Sequence, residues 1–116
     1  MSFKPVWTEE ADANYRSLQA AALGSLQHRQ EKKGAKASKA EGLFRQAEKC
    51  VRLLLENPKH PGLQTHQFDS IENPYDKEAK VFEAYVQNRT PGAYRLFWCY
   101  GPRKNEITLL AITPNP

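Results

Sequence analysis

Residues 92–116 constrain the fold more than any other part of this chain. Ala93–Tyr100 and Glu106–Thr113 are runs of aromatic, aliphatic and β-branched residues, and the five residues between them, Gly101-Pro102-Arg103-Lys104-Asn105, are turn formers. Two strands joined by a tight turn are predicted. One charge, Arg95, interrupts the first strand beside Leu96, Phe97 and Trp98. A guanidinium among such neighbours is costly to desolvate unless it has a partner or a task.

Upstream, Val81–Val86 reads as a third strand, and Gln87–Gly92 as the turn that joins it to the hairpin. If that turn centres near Thr90, Tyr85 lies opposite Arg95 and Glu83 opposite Phe97. Alternation then places Glu83, Tyr85, Arg95, Phe97 and Cys99 on one face. Two readings of that face are open. Glu83 and Arg95 form a structural ion pair, or the guanidinium contacts phosphate with aromatic rings nearby for base stacking.

The N-terminal half has a different period. Ser2–Trp7 reads as a short strand, and Thr8 as the N-cap of a helix whose first turn holds Glu9, Glu10 and Asp12. Ala11, Tyr15, Leu18, Ala22 and Leu26 recur at helical spacing, carrying that helix to about Gln30. Residues 31–40 are charged and small and read as a turn. Ser38 and Glu41 have the spacing of a capping box ahead of an apolar stripe from Leu43 to Leu55, which Pro58 ends near Asn57. Residues 58–76 are rich in Pro, Gly, His and Asn and read as mostly loop. The order predicts an α+β fold: an N-terminal strand and an α-helical hairpin packed on one face of a mostly antiparallel sheet.

At 116 residues the chain makes one domain, residues 1–116, with a single modest core. It has no apolar run near the roughly 18–20 residues of a membrane span, and its acidic N-terminus lacks a signal-peptide core. A cytoplasmic protein is expected, with Cys50 and Cys99 as buried thiols. The net charge of +4 is uneven. His28–Arg52 holds eight Lys/Arg against three Glu, which suggests a polyanionic or acidic partner, or else a solvated helix face. His60, His66 and Asp69 could supply acid/base groups, but they form a poor ligand set, and no metal or cofactor is expected.

Four segments together resemble the RelE/ParE superfamily of bacterial toxin–antitoxin toxins. They are Pro61–Phe68 (PGLQTHQF), Val81–Val86 (VFEAYV), Ala93–Trp98 (AYRLFW) and the last apolar strand Ile107–Ile112. The resemblance implies a RelE/ParE-like fold, a cognate antitoxin as partner, and either of two activities. RelE-like members cut mRNA in the ribosomal A site without a metal, through attack of the ribose 2′-hydroxyl on the neighbouring phosphate. ParE-like members inhibit DNA gyrase. The RNA-cutting branch implies Arg95, His66, Tyr100 and Asn115 as catalytic residues, with Arg95 as the phosphate clamp. It also implies His60, Tyr85, Lys32, Lys33, Lys36 and Lys39 as RNA contacts on the ribosome. The chain departs from that branch in three places. Asn115 stands where many RNA-cutting relatives carry histidine, Pro61 where some carry an acid, and Glu83 and Tyr85 where basic residues are common. A member that binds only its antitoxin or nucleic acid is the third reading.

Overall fold

A computed structural model describes residues 2–31, 38–88 and 92–114. It contains β1 (Lys4–Trp7), α1 (Glu9–Glu31), α2 (Lys39–Glu56), a 3₁₀ turn at Pro61–Leu63, β2 (His66–Gln67), β3 (Phe82–Tyr85), β4 (Tyr94–Tyr100) and β5 (Glu106–Pro114). The sheet order is β1-β5-β4-β3-β2. Only the β1–β5 pairing is parallel, so the sheet is mixed but mostly antiparallel, as the sequence predicts.

Local chemistry sets the helix ends where the sequence places them. The Thr8 hydroxyl accepts from the Ala11 amide at 3.1 Å and donates to the Leu110 carbonyl at 3.0 Å, so one side chain caps α1 and ties it to β5. Ser38 and Glu41 form the capping box of α2. Arg29, from the last turns of α1, donates to Glu41 at 2.6 Å, so the box also joins the two helices. That contact, with the Ser38 amide next, holds the Glu41 carboxyl down at about 2, against an ordinary value near 4.5.

A carboxylate with a lowered folded-state pKa stabilises the fold above its unfolded value, and that contribution disappears as pH falls through the folded one. Thermal melts followed by circular dichroism should therefore show Tm falling between about pH 4.5 and pH 2. Glu41→Gln should flatten that part of the profile and lower Tm at neutral pH. A profile with equal slope in both proteins would mean that the Arg29–Glu41 contact does not govern acid unfolding.

The main core lies between the helices and one face of the sheet. It contains Ala11, Leu18, Ala47, Val51 and Leu54 from the helices and Ala84, Leu96, Trp98, Ile107, Leu109 and Ile112 from the strands. A bulge interrupts the alternation of β5, where Phe97 pairs with Ala111 but Trp98 pairs with Leu109. Leu110 is the extra residue, and it joins Val81, Phe97, Cys99 and Ala111 in a smaller cluster on the opposite face. Phe68 and Ile71, from the long segment before β3, cover that cluster. The Tyr75 hydroxyl meets Thr108 at 2.8 Å further along. The face without helices is thus partly roofed by residues 68–75. The rest of that face lies at the β2–β3–β4 end, beyond residues 68–75.

Cys50 and Cys99 are both buried and unpaired. Burial pushes their thiols up to about 12 and about 11 respectively.

Candidate functional site

The site is built by strand register. Tyr85 pairs with Arg95, and Glu83 with Phe97, as the expected turn centre requires. On the other edge of β3, Glu83 pairs with His66. These positions point to the face opposite the helices, so His66, Glu83, Tyr85 and Arg95 share that face at the β2–β3–β4 end of the sheet.

The sequence read His66 as part of a loop; it lies on a two-residue strand. The 3₁₀ turn before it explains the difference. His60 Nδ1 accepts the Gly62 amide at 2.9 Å, and Leu63 anchors the turn in the core at 1% exposure. Gln64 then takes a left-handed conformation (φ 49°), which turns the chain back beside β3. A strand this short has no alternation to read.

His66 Nε2 lies 2.6 Å from Glu83 Oε1, and its Nδ1 lies 3.2 Å from the Gln64 carbonyl oxygen. Both ring nitrogens are therefore engaged, Nδ1 with a carbonyl that only accepts and Nε2 with the Glu83 carboxyl. The His66 ring meets Tyr85 edge-on, with centroids 5.5 Å apart. Tyr85 in turn covers Arg95, whose guanidinium carbon is 4.1 Å from the ring centroid. Arg95 Nη1 donates to the carbonyls of Ala93 (3.1 Å) and Tyr94 (3.3 Å), while its buried Nε has no hydrogen-bond partner.

Two expectations about this face are corrected. The ion pair that Glu83 makes is with His66, not Arg95, because Glu83 is only diagonal to Arg95 in the register and directly opposite His66. The guanidinium is also not open to solvent, since Arg95 is 4% exposed. His66, at 46%, is the exposed end of the cluster.

The other expected site residues lie elsewhere. Tyr100 follows Leu96 and Trp98 by alternation and packs on Phe82 and Trp98, so it faces the helix side of the sheet, away from Arg95. Burial pushes its hydroxyl above the ordinary tyrosine value, which makes it a proton donor or hydrogen-bonding group rather than a base near neutral pH. His60 lies between that region and a cleft of about 390 Å³ that Tyr85 and Lys49 also line. Lys39 is the exposed first residue of α2, in the helix layer. Lys32, Lys33, Lys36 and Asn115 lie outside the described residues. Among the described residues no group of three or more His, Cys, Asp or Glu could hold a metal ion. Asp69 instead accepts from the Gln67 side chain at 2.8 Å.

No protein-family model matches the chain, and no curated protein matches it by sequence. Solved structures match along nearly its whole length. A YoeB/ParE toxin from Agrobacterium tumefaciens aligns with a TM-score of 0.59 at 10% identity, over 97% of this chain and 99% of that one. A RelE–RelB complex from the archaeon Pyrococcus horikoshii aligns with a TM-score of 0.55 at 14% identity, over 98% and 96%. A copper-bound mutant toxin from Helicobacter pylori gives 0.50 at 14%, over 97% and 94%. The chain has the fold of the RelE/ParE-like toxins.

Proposed function

We propose that this chain is the toxin of a toxin–antitoxin pair and cuts mRNA on the ribosome without a metal. The observation that carries this reading is the run of Glu83, His66, Tyr85 and Arg95 on the helix-free face of a RelE/ParE-like sheet. A buried guanidinium with no carboxylate partner among the described residues leaves a positive charge beneath this face, and that charge attracts a phosphate.

The pair at 2.6 Å supports one assignment of the acid and the base. The 2′-hydroxyl attacks the adjacent phosphorus and gives its proton to Glu83. His66 gives its proton to the departing 5′ oxygen. Arg95 offsets the charge that develops on the phosphoryl oxygens, and the products are a 2′,3′-cyclic phosphate and a free 5′-hydroxyl. Tyr85 lies over the guanidinium and contacts RNA as well. The cognate antitoxin is the protein partner, and it acts by covering this face. The chain acts in the cytoplasm, where the ribosomes are; among the described residues no helix is long and apolar enough to cross a membrane.

One observation favours a second reading. A guanidinium that is 4% exposed suits a structural part of a surface that acts by binding alone, as a gyrase inhibitor would. Induced expression followed by primer extension on a reporter mRNA, beside a supercoiling assay with the purified chain, separates the two. Cleavage within codons being translated, with gyrase unaffected, is expected. Intact mRNA with blocked supercoiling would overturn the cleavage reading.

A further inference from the structure

On the other face of the sheet, beyond the end of the helix layer, is a cleft of about 560 Å³, within the range of small-ligand sites. Nothing in the proposed cleavage uses it. Its aromatic wall is Phe82, Trp98 and Tyr100. Phe82 and Trp98 stack with centroids 4.8 Å apart at 27°, and Tyr100 stands edge-on to Trp98 at 5.0 Å. Tyr100 is 45% exposed and forms the open side of that wall.

The cleft holds unsatisfied polar atoms, with the Gln64 carboxamide also in its lining. Three buried side-chain polar atoms lack a hydrogen-bond partner among the described residues, and two of them, Trp98 Nε1 and Thr65 Oγ1, belong to residues that line this cleft. An orphaned buried donor is a cost that a folded chain rarely keeps without a use. An indole N–H only donates, so its complement must accept. His60 Nδ1 is occupied by the Gly62 amide, which leaves Nε2 to carry the ring proton. Lys59 adds a cation at the rim, and among the described residues no acid lines the cleft.

From an aromatic wall, an unpartnered buried indole N–H beside it and one rim cation we infer that the cleft binds the base of a nucleotide. The ring lies against Tyr100 and Phe82, the more exposed rings of that wall. A carbonyl or ring nitrogen of the base accepts from Trp98 Nε1, Thr65 completes the polar edge, and the phosphate points to Lys59. The base comes from a free mononucleotide or from a single RNA strand crossing the sheet edge. This inference does not rest on the cleavage reading, because Arg95 is on the opposite face.

The test uses the full chain labelled with ¹⁵N. Its two tryptophans, Trp7 and Trp98, give two indole signals, which Trp98→Phe assigns. Titration with AMP, GMP, CMP and UMP in the millimolar range should move the Trp98 signal for at least one of them, and ribose 5-phosphate should not. Thr65→Val should weaken that binding about tenfold, and Tyr100→Leu by at least as much. Arg95→Ala should leave it unchanged. A short single-stranded oligoribonucleotide that binds more tightly than any mononucleotide identifies a strand as the source; equal or weaker binding identifies the free nucleotide. A Trp98 signal that stays still for every base would overturn the inference, as would one that responds equally to ribose 5-phosphate. A response insensitive to both Thr65→Val and Tyr100→Leu would do the same.

Discussion

Replacing Arg95 with Met should abolish most of the RNA cleavage while leaving the protein as stable as before, or more so. Removing one donor that stabilises developing negative charge costs about 10²–10³ in rate. Induced growth arrest should be relieved to the same extent. The stability side of the prediction follows from burial. Arg95 is 4% exposed, no carboxylate pairs with it among the described residues, and its Nε lacks an acceptor. A well-packed apolar side chain of similar volume avoids the desolvation of that charge, and even buried ion pairs replaced in this way often leave stability neutral or raised. Loss of function with retained or raised Tm is the signature of a group kept for chemistry rather than for the fold. Arg95→Lys keeps the charge but not the planar fork, and should restore only part of the activity. A large drop in Tm for Arg95→Met, with arrest persisting, would show that the two carbonyl contacts and the Tyr85 ring are the whole purpose of this arginine.

The sequence carries much of this argument because the fold is built on long periodic segments. The capping box at Ser38–Glu41 and the breaker at Pro58 mark α2 almost to the residue. The register of β3 on β4 follows from a single assumption about a turn, and it places Tyr85 opposite Arg95. What the sequence does not carry is decided by contacts between distant segments. His66 acquires its partner through a two-residue strand whose position depends on a 3₁₀ turn and on the left-handed Gln64, and neither has a periodic signature. Glu83 therefore reads as the natural partner of Arg95, although the register gives it to His66. Tyr100 is misleading for a similar reason. It follows Arg95 closely in the chain, but five residues along a strand is an odd number, so the two side chains emerge on opposite faces. The orphaned atoms of Thr65 and Trp98 have no sequence signal at all, because hydrogen-bond satisfaction is a property of packing.

His66→Gln should reduce cleavage of ordinary RNA by about 10²–10⁴ and have little effect on cleavage of a substrate whose 5′ leaving oxygen is replaced by sulfur. A glutamine amide can still donate to Glu83 at the position of His66 Nε2, so the buried carboxylate keeps a partner and the strand pairing is not disturbed. It cannot deliver a proton, and general acid catalysis contributes about that range of rate. A thiolate leaves without protonation, so the sulfur substrate should erase most of the defect if proton delivery is what His66 does. His66→Ala should behave differently in one respect. It leaves Glu83, at 5% exposure, without its imidazole, and a buried acceptor that loses its partner costs about 1–3 kcal/mol. Its Tm should therefore fall below that of His66→Gln while the two share the same catalytic defect. If His66→Gln cleaves ordinary RNA at the unmodified rate, the imidazole only positions Glu83. If both substrates lose rate equally, His66 acts before the leaving oxygen departs, in binding or orienting the strand, and the proton must come from elsewhere.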